Sequence, residues 1–464
     1  MGRHMAQQEI ARGTRVDRAL RVFADVRHGE GATALLLALN VFLLLMTYYL
    51  LKPVREALIL GEGSAELKSY MSAAQVALLA VVVPLYGRLV AAVPRFQLIR
   101  IVTWVFVACL VAFYVLAELG VPLGIVFFVW IGIFNLMVVA QFWGFANDIY
   151  TKDEGERLFP IVGFGASLGA VLGSFVAGEL IEPIGIFQML LVGAAGLLVQ
   201  LQITRMIDRR ASLTGTGRPT ATHAEASAKH NAFALVFRNR YLLLIGLMLM
   251  IFYCVDAMGE YILGSTVREH ALKTVATGKA NGSTVQEIIG RFYSTYFGMV
   301  NTGSLLLQLF IVSRVVKYLG VGVSVGIQPA LSFIAYNVIA LAPSLGFMLS
   351  AQVAAKAADY SLNNTVRNML FLPCTREEKY SAKQVIDSLF VRFGDLLSAG
   401  VVFVGTTVVA LGTTGFAVVN IVLAAAGLSV AVVVGHLYVR LTTDRARGSQ
   451  PFIAPATGTP ARAR

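Results

Sequence analysis

Apolar runs of about 20 residues, the length that a helix needs to cross a bilayer, recur along this chain from near Thr33 to near Leu441. No other feature limits the fold so strongly. Inside the hydrocarbon every backbone N–H and C=O must be satisfied internally, which leaves helices and closed barrels as the spanning solutions. Spanning barrels alternate apolar and polar residues in short segments, and these runs do not alternate. The chain therefore reads as an all-α, polytopic membrane protein with twelve transmembrane helices in two six-helix halves. The expected spans are 33–60, 69–92, 99–118, 122–148, 161–181 and 186–206, then 241–265, 289–314, 320–342, 345–371, 384–411 and 415–440. Composition excludes the soluble alternative: 14% of the 464 residues are charged, against about 25% in soluble domains.

The net charge of +12 does not point to nucleic acid, because the cations sit in the tails and in the loops between apolar runs. That is the pattern by which basic loops stay cytoplasmic. One side collects Arg3, Arg12, Arg15, Arg18, Arg21 and Arg27, then Arg88, Arg95, Lys152, Arg157, Arg209, Arg210, Arg314, Lys317, Arg376, Lys379, Arg440, Arg445 and Arg447. Both termini are expected on that cytoplasmic side. The organisation expected is a basic arm 1–32, a first half 33–206, a polar linker 207–240, a second half 241–440 and a disordered basic tail 441–464. The first run follows the arm without a small-residue cleavage site and reads as an uncleaved span. The polar stretch near 266–288 is expected to be an external loop with short helical pieces. Cys109, Cys254 and Cys374 lack metal-ligand spacing and read as small apolar residues.

Charges that remain inside spans cost about 2.5 kcal/mol or more each on insertion scales, so they face cavities or partners. Lys52, Arg55 and Glu56 stand at i, i+3 and i+4 beside Pro53, on one helical face. They read either as a cavity-facing site or as an interfacial end with snorkelling cations. Asp256 and Glu260 lie one turn apart in the seventh span and call for a cationic partner or a proton. Lys356 and Asp359, three apart, are placed to neutralise each other, with Arg367 further along. Lys383, Asp387, Arg392 and Asp395 open the eleventh span, where Asp387 and Asp395, eight apart, share a face. The candidate substrate contacts are Lys52, Arg55, Glu56, Asp256, Glu260, Lys356, Asp359, Lys383, Asp387 and Arg392. Gly165, Gly169 and Gly173 form a smooth row in the fifth span, suited to close helix packing. There is no phosphate-binding Gly-Lys-Ser/Thr loop, potassium-filter run or hydrolytic arrangement, so the chain is read as no enzyme, with no catalytic residue, cofactor or metal.

Several segments carry a resemblance: Tyr48 to Ile59 (YYLLKPVREALI), Phe142 to Asp148 (FWGFAND), Glu156 to Pro160 (ERLFP), Gly163 to Ala166, Lys356 to Leu362 (KAADYSL) with Arg367, and Lys379 to Lys383 followed by Ile386-Asp387 and Arg392 to Asp395 (RFGD). In this order they resemble the ATP/ADP exchange transporters of plastids and obligate intracellular bacteria. The resemblance implies a carrier fold related to the major facilitator superfamily, a bacterial inner-membrane location, and exchange of nucleotides. It implies Lys52 and Arg55 as phosphate-side cations, Glu260 as the acid of the seventh span and Lys383 as the lysine entering the eleventh. This chain departs from the exchangers at Val129 to Asn135, which holds no acid, at Gly264 and at Asp395. The expected function is secondary transport of an anionic, nucleotide-like or phosphorylated solute by a monomer in the lipid bilayer. The alternatives are a carrier or flippase for another amphipathic solute, and a non-transporting scaffold whose charges all pair and leave no cavity.

Overall fold

The computed structural model describes residues 24–214, 232–375 and 382–448, with Asp17, Leu20, Arg21 and Glu378 beside them. Most of the basic arm, the middle of the linker, Arg376, Lys379 and the end of the tail lie outside the described residues. The first six long helices are α1 (Gly31–Glu62), α2 (Ala65–Ala92), α3 (Arg95–Glu118), α4 (Gly124–Ile149), α5 (Lys152–Ile184) and α6 (Gln188–Thr214). A short helix, Ala232–Arg238, precedes α7 (Arg240–Ala276) and α8 (Val285–Phe310), which continues through a bend into Val312–Ser324. Then come α9 (Ile327–Leu341), α10 (Leu345–Ala358), α11 (Lys383–Thr407) and α12 (Thr413–Gly448). The protein is all-α.

The helices begin where polar side chains can serve the first orphaned N–H groups. Ser64 accepts from Leu67 N, and Asn239 accepts from Tyr241 N and Leu242 N. Thr151 with Glu154, and Thr284 with Glu287, close reciprocal capping boxes at the starts of α5 and α8, a pattern that satisfies two donors at once.

The expected spans are helical, but their ends and strength differ. α7 runs to Ala276, eleven residues past the expected end at 265, so much of the expected external loop is helix. Its polar end carries a Lys273–Glu269 pair at 2.5 Å, one turn apart, the kind that supports a helix in water. α6 likewise runs into the expected linker and α12 into the expected tail.

The count of twelve spans is not met by length and composition. Among the described residues nine helices are long and apolar enough to cross a membrane, and α8 with Val312–Ser324, bent by 75°, makes a tenth. The expected ninth span shrinks to the 15 residues of α9, because the backbone breaks at Gly320 (φ 73°) and turns again before Ile327. The tenth continues from α10 through a π turn, Asp359–Asn363, into Asn364–Met369. There Lys356, Asp359, Arg367 and three asparagines dilute its apolar character.

α1 is the central element and packs against α4, α5, α6 and α8. α7 packs against α11 and α12, while α2 reaches α7 and α11, and α5 reaches α8. The row on α5 lies against the α1 backbone: a methyl built on Gly165 would stand 2.6 Å from Ala38 O, and at Gly169 and Gly173 the carbonyls of Phe42 and Met46 are closer still. The outer face of α2 shows Leu78, Val81, Val83 and Leu85, apolar surface that suits lipid.

Candidate functional site

Five helices bring charge to the middle of the bundle. α1 supplies Lys52, Arg55 and Glu56, α2 supplies Lys68, α7 supplies Asp256 and Glu260, α10 supplies Lys356, and α11 supplies Arg392 and Asp395. Glu56 is fully buried. Arg55 Nε donates to its Oε1 at 2.9 Å, and Lys68 Nζ lies 2.7 Å from its Oε2. Lys68 also reaches Glu260 Oε2 at 3.1 Å, and Lys356 holds Glu260 Oε1 at 3.2 Å and both Asp256 oxygens at 2.7 and 2.8 Å. The result is one chain of alternating sign, Arg55–Glu56–Lys68–Glu260–Lys356–Asp256, stitched across α1, α2, α7 and α10. Taking one partner from such a buried pair costs about 3–5 kcal/mol, because the other charge is stranded.

Beside the chain is a cavity of about 250 Å³. Lys52, Arg55, Lys68, Asp256, Glu260, Arg392 and Asp395 give its walls charge, and Ser69, Ser72 and Gln75 of α2 add neutral hydrogen-bonding groups. Arg392 and Asp395 approach each other at 3.4 Å. Lys52 is different. It is 8% exposed, with Nζ 4.0 Å from the Phe297 ring centroid and 5.1 Å from that of Tyr49. Among the described residues no carboxylate lies within 4 Å of that ammonium; the nearby acids are held by other cations. Aromatic faces compensate a cation by about 0.5–2 kcal/mol, far less than a buried charge loses with its water. The ammonium thus remains able to take an anion from the cavity.

Of the ten candidate contacts, Lys52, Arg55, Asp256, Glu260 and Arg392 line this cavity, and Glu56 and Lys356 sit behind it in the ionic chain. Asp359, Lys383 and Asp387 do not join them. The expected Lys356–Asp359 pair does not form: Lys356 turns to α7, and Asp359 accepts from Asn363 Nδ2 at 2.8 Å. Asp359 keeps its α-helical place after Lys356, and the pair is lost because two acids of α7 take the ammonium. Lys383 donates to Asn368 Oδ1 at 2.6 Å, and Asp387 faces Arg367 at 4.0 Å. Asp387 sits inside the π turn Ile386–Phe390, and Asp395 lies beyond it beside Arg392, so the two carboxylates take different cations. Lys68 and the Phe297–Tyr49 surface were not expected. Lys68 opens the second apolar run, where a lysine reads as an ordinary snorkelling end.

The profile of the family described as TLC ATP/ADP transporter matches residues 124–440. The chain is 23% identical over 331 residues to ADP,ATP carrier protein 1 of Chlamydia pneumoniae, a match covering 63% of this chain and 58% of that protein. It is 23% identical over 330 residues to the protein of the same name in Chlamydia muridarum, covering 63% and 56%. The match thus spans little more than half the length of these relatives. Among solved structures, the fold is similar to a POT family transporter in complex with a thioalcohol-conjugated peptide, with a TM-score of 0.62, 13% identity, and coverage of 90% and 98%. It is also similar to a bacterial homologue of the iron transporter ferroportin in the inward-facing state, with a TM-score of 0.61, 12% identity, and coverage of 89% and 99%. These likenesses show that the chain shares the fold of these two structures.

Proposed function

The chain belongs to the TLC ATP/ADP transporter family, and from that premise we propose that it is a secondary carrier, moving an anionic, phosphate-bearing solute of nucleotide kind across the bacterial inner membrane by alternating access. The observation that carries the proposal is Lys52, a buried ammonium on the wall of a charged cavity with, among the described residues, no carboxylate within 4 Å. Lys52 is the anion contact, since a desolvated cation and a phosphate form a strong charge-assisted hydrogen bond. Arg55, Lys68 and Arg392 set the positive field around it, and Glu260, paired with Lys68, ties the second half, 241–440, to the first, 33–206. The two halves rock about this midplane site as carriers with internal repeats do. A scaffold with every charge paired and no cavity is disfavoured by the same two features.

The test is counterflow. Proteoliposomes loaded with unlabelled ATP, ADP or another phosphorylated solute are expected to accumulate the labelled counterpart from outside. Failure of every phosphorylated and nucleotide solute to exchange or enter would remove the proposal. At the residue level, Lys52→Gln is expected to weaken anion binding by about 1.5–3 kcal/mol, the range for a hydrogen bond to a charged group, while the protein stays folded. Unchanged transport of every tested anion in that variant would make Lys52 a mere packing residue.

The orientation is part of the proposal. With the termini and the 207–240 linker cytoplasmic, a cysteine placed at Ser212 stays unlabelled by an impermeant thiol reagent in intact cells and reacts once the membrane is opened. Ready labelling in intact cells would invert the topology.

A further inference from the structure

One wall of the cavity carries a row of uncharged polar groups. Ser69, Ser72 and Gln75 of α2 line the space three residues apart, on one helical face, and the row is about 9 Å long from first to last. The hydroxyl protons of both serines are committed to their own helix: Ser69 donates to Ala65 O at 3.3 Å and Ser72 to Lys68 O at 3.0 Å. Their oxygens keep lone pairs for an incoming donor. Gln75 carries donors and an acceptor together, and among the described residues its amide makes no hydrogen bond. Its place is set by α4. Phe128 of α4 lines the cavity, and Gly132 stands one turn further along, on the same face. A methyl built on Gly132 would fall on the Gln75 amide, so the missing side chain is what lets the amide lie there.

We propose that this row is the subsite for the nucleoside end of the solute, with Gln75 reading the base while Lys52 holds phosphate. The inference rests on the reading of Lys52 as the anion contact and adds the residues that tell a nucleotide from a bare phosphate chain. The two walls differ in the chemistry that they offer. Lys52 and Arg55 of α1 present charge to the cavity, which suits phosphate oxygens. The serines of α2 offer only acceptors, because their protons point elsewhere, and a phosphate oxygen gains nothing from an acceptor. A ribose hydroxyl or a base amine can donate to them. A carboxamide such as that of Gln75 meets the adjacent donor and acceptor of adenine at two points. Binding sites fix a ligand's orientation with a few polar groups of this kind. Here those groups stand on a different helix from Lys52 and Arg55, so anchoring and selection are separable by substitution.

The experiment measures the affinity of the purified full chain for ADP and for pyrophosphate, both in EDTA so that no magnesium masks phosphate charge. Gln75→Leu is expected to weaken ADP about tenfold, within the range of a two-point base contact, and to leave pyrophosphate unchanged. Gly132→Ala tests the same contact from the other helix. Its methyl displaces the free end of the Gln75 side chain and no backbone, so the fold is kept while ADP weakens and pyrophosphate does not. Lys52→Gln is expected to weaken both ligands, which separates the anion contact from the base contact. Equal weakening of ADP and pyrophosphate in Gln75→Leu, or an ADP affinity unmoved in either folded variant of the pair, would overturn this inference and leave the carrier reading standing. A parent chain that does not bind ADP would overturn it too. Lys52→Gln with both affinities at the parental level would remove the reading of Lys52 on which it rests, and failed counterflow of every solute would remove the carrier itself.

Discussion

Glu56→Gln is expected to cost about 3–5 kcal/mol of stability, the range for removing one member of a buried ion pair. Glu56 is the hinge point of the ionic chain: Arg55 sits on one oxygen and Lys68 on the other, and its side chain has no exposure. Glutamine keeps the volume and removes the charge that both cations face. Arg55 retains a view of the cavity, but Lys68, with a side chain 5% exposed, keeps only Glu260. Thermal or denaturant unfolding of the detergent-solubilised protein checks the expectation. The double variant Glu56→Gln/Lys68→Met relieves one stranded cation and is expected to recover a substantial part of the loss. A single variant within about 1 kcal/mol of the parent would place Glu56 in a hydrated setting, of the kind in which ion pairs contribute little.

The second large effect belongs to the glycine row. Gly169→Leu is expected to abolish folding, or to cost about 3 kcal/mol or more, at the upper end of what overpacking does. The obstacle is the Phe42 carbonyl of α1, and backbone cannot swing aside as a side chain would. Gly169→Ala already adds the clashing carbon, so it separates this reading from a simple shortage of side-chain space. Gly87, which a methyl would meet with nothing inside 4 Å, is the control. Yield of monodisperse protein and its unfolding temperature are the measurements. Parental behaviour of Gly169→Leu would mean that α1 and α5 do not pack as described.

The sequence made the helical class plain, because long apolar runs admit few other folds. It also exposed Lys52, Arg55, Glu56, Asp256 and Glu260, since a charge within such a run has few innocent explanations. What stayed hidden was pairing. Lys68 joins Glu260 across 192 positions, and no local pattern signals that partnership. Spacing along one helix also says little where another helix competes. Lys356 and Asp359 stand three apart, yet Lys356 goes to Asp256 and Glu260 of α7 and Asp359 to Asn363, while Asp387 meets Arg367 and Asp395 meets Arg392. Helix strength was misjudged in the ninth and tenth spans for a related reason: apolar windows there are interrupted by Gly320 and by buried charge that the fold, not the lipid, accommodates.

A chain of alternating charges is close to invisible to a membrane voltage. One elementary charge carried through 100 mV exchanges about 2.3 kcal/mol with the field. Arg55, Lys68 and Lys356 are balanced by Glu56, Glu260 and Asp256, so a movement that carries all six together does no net electrical work on their account. In a carrier built this way, the return of the empty protein feels the potential chiefly through the ammonium of Lys52, and the rate of that step should depend only shallowly on voltage.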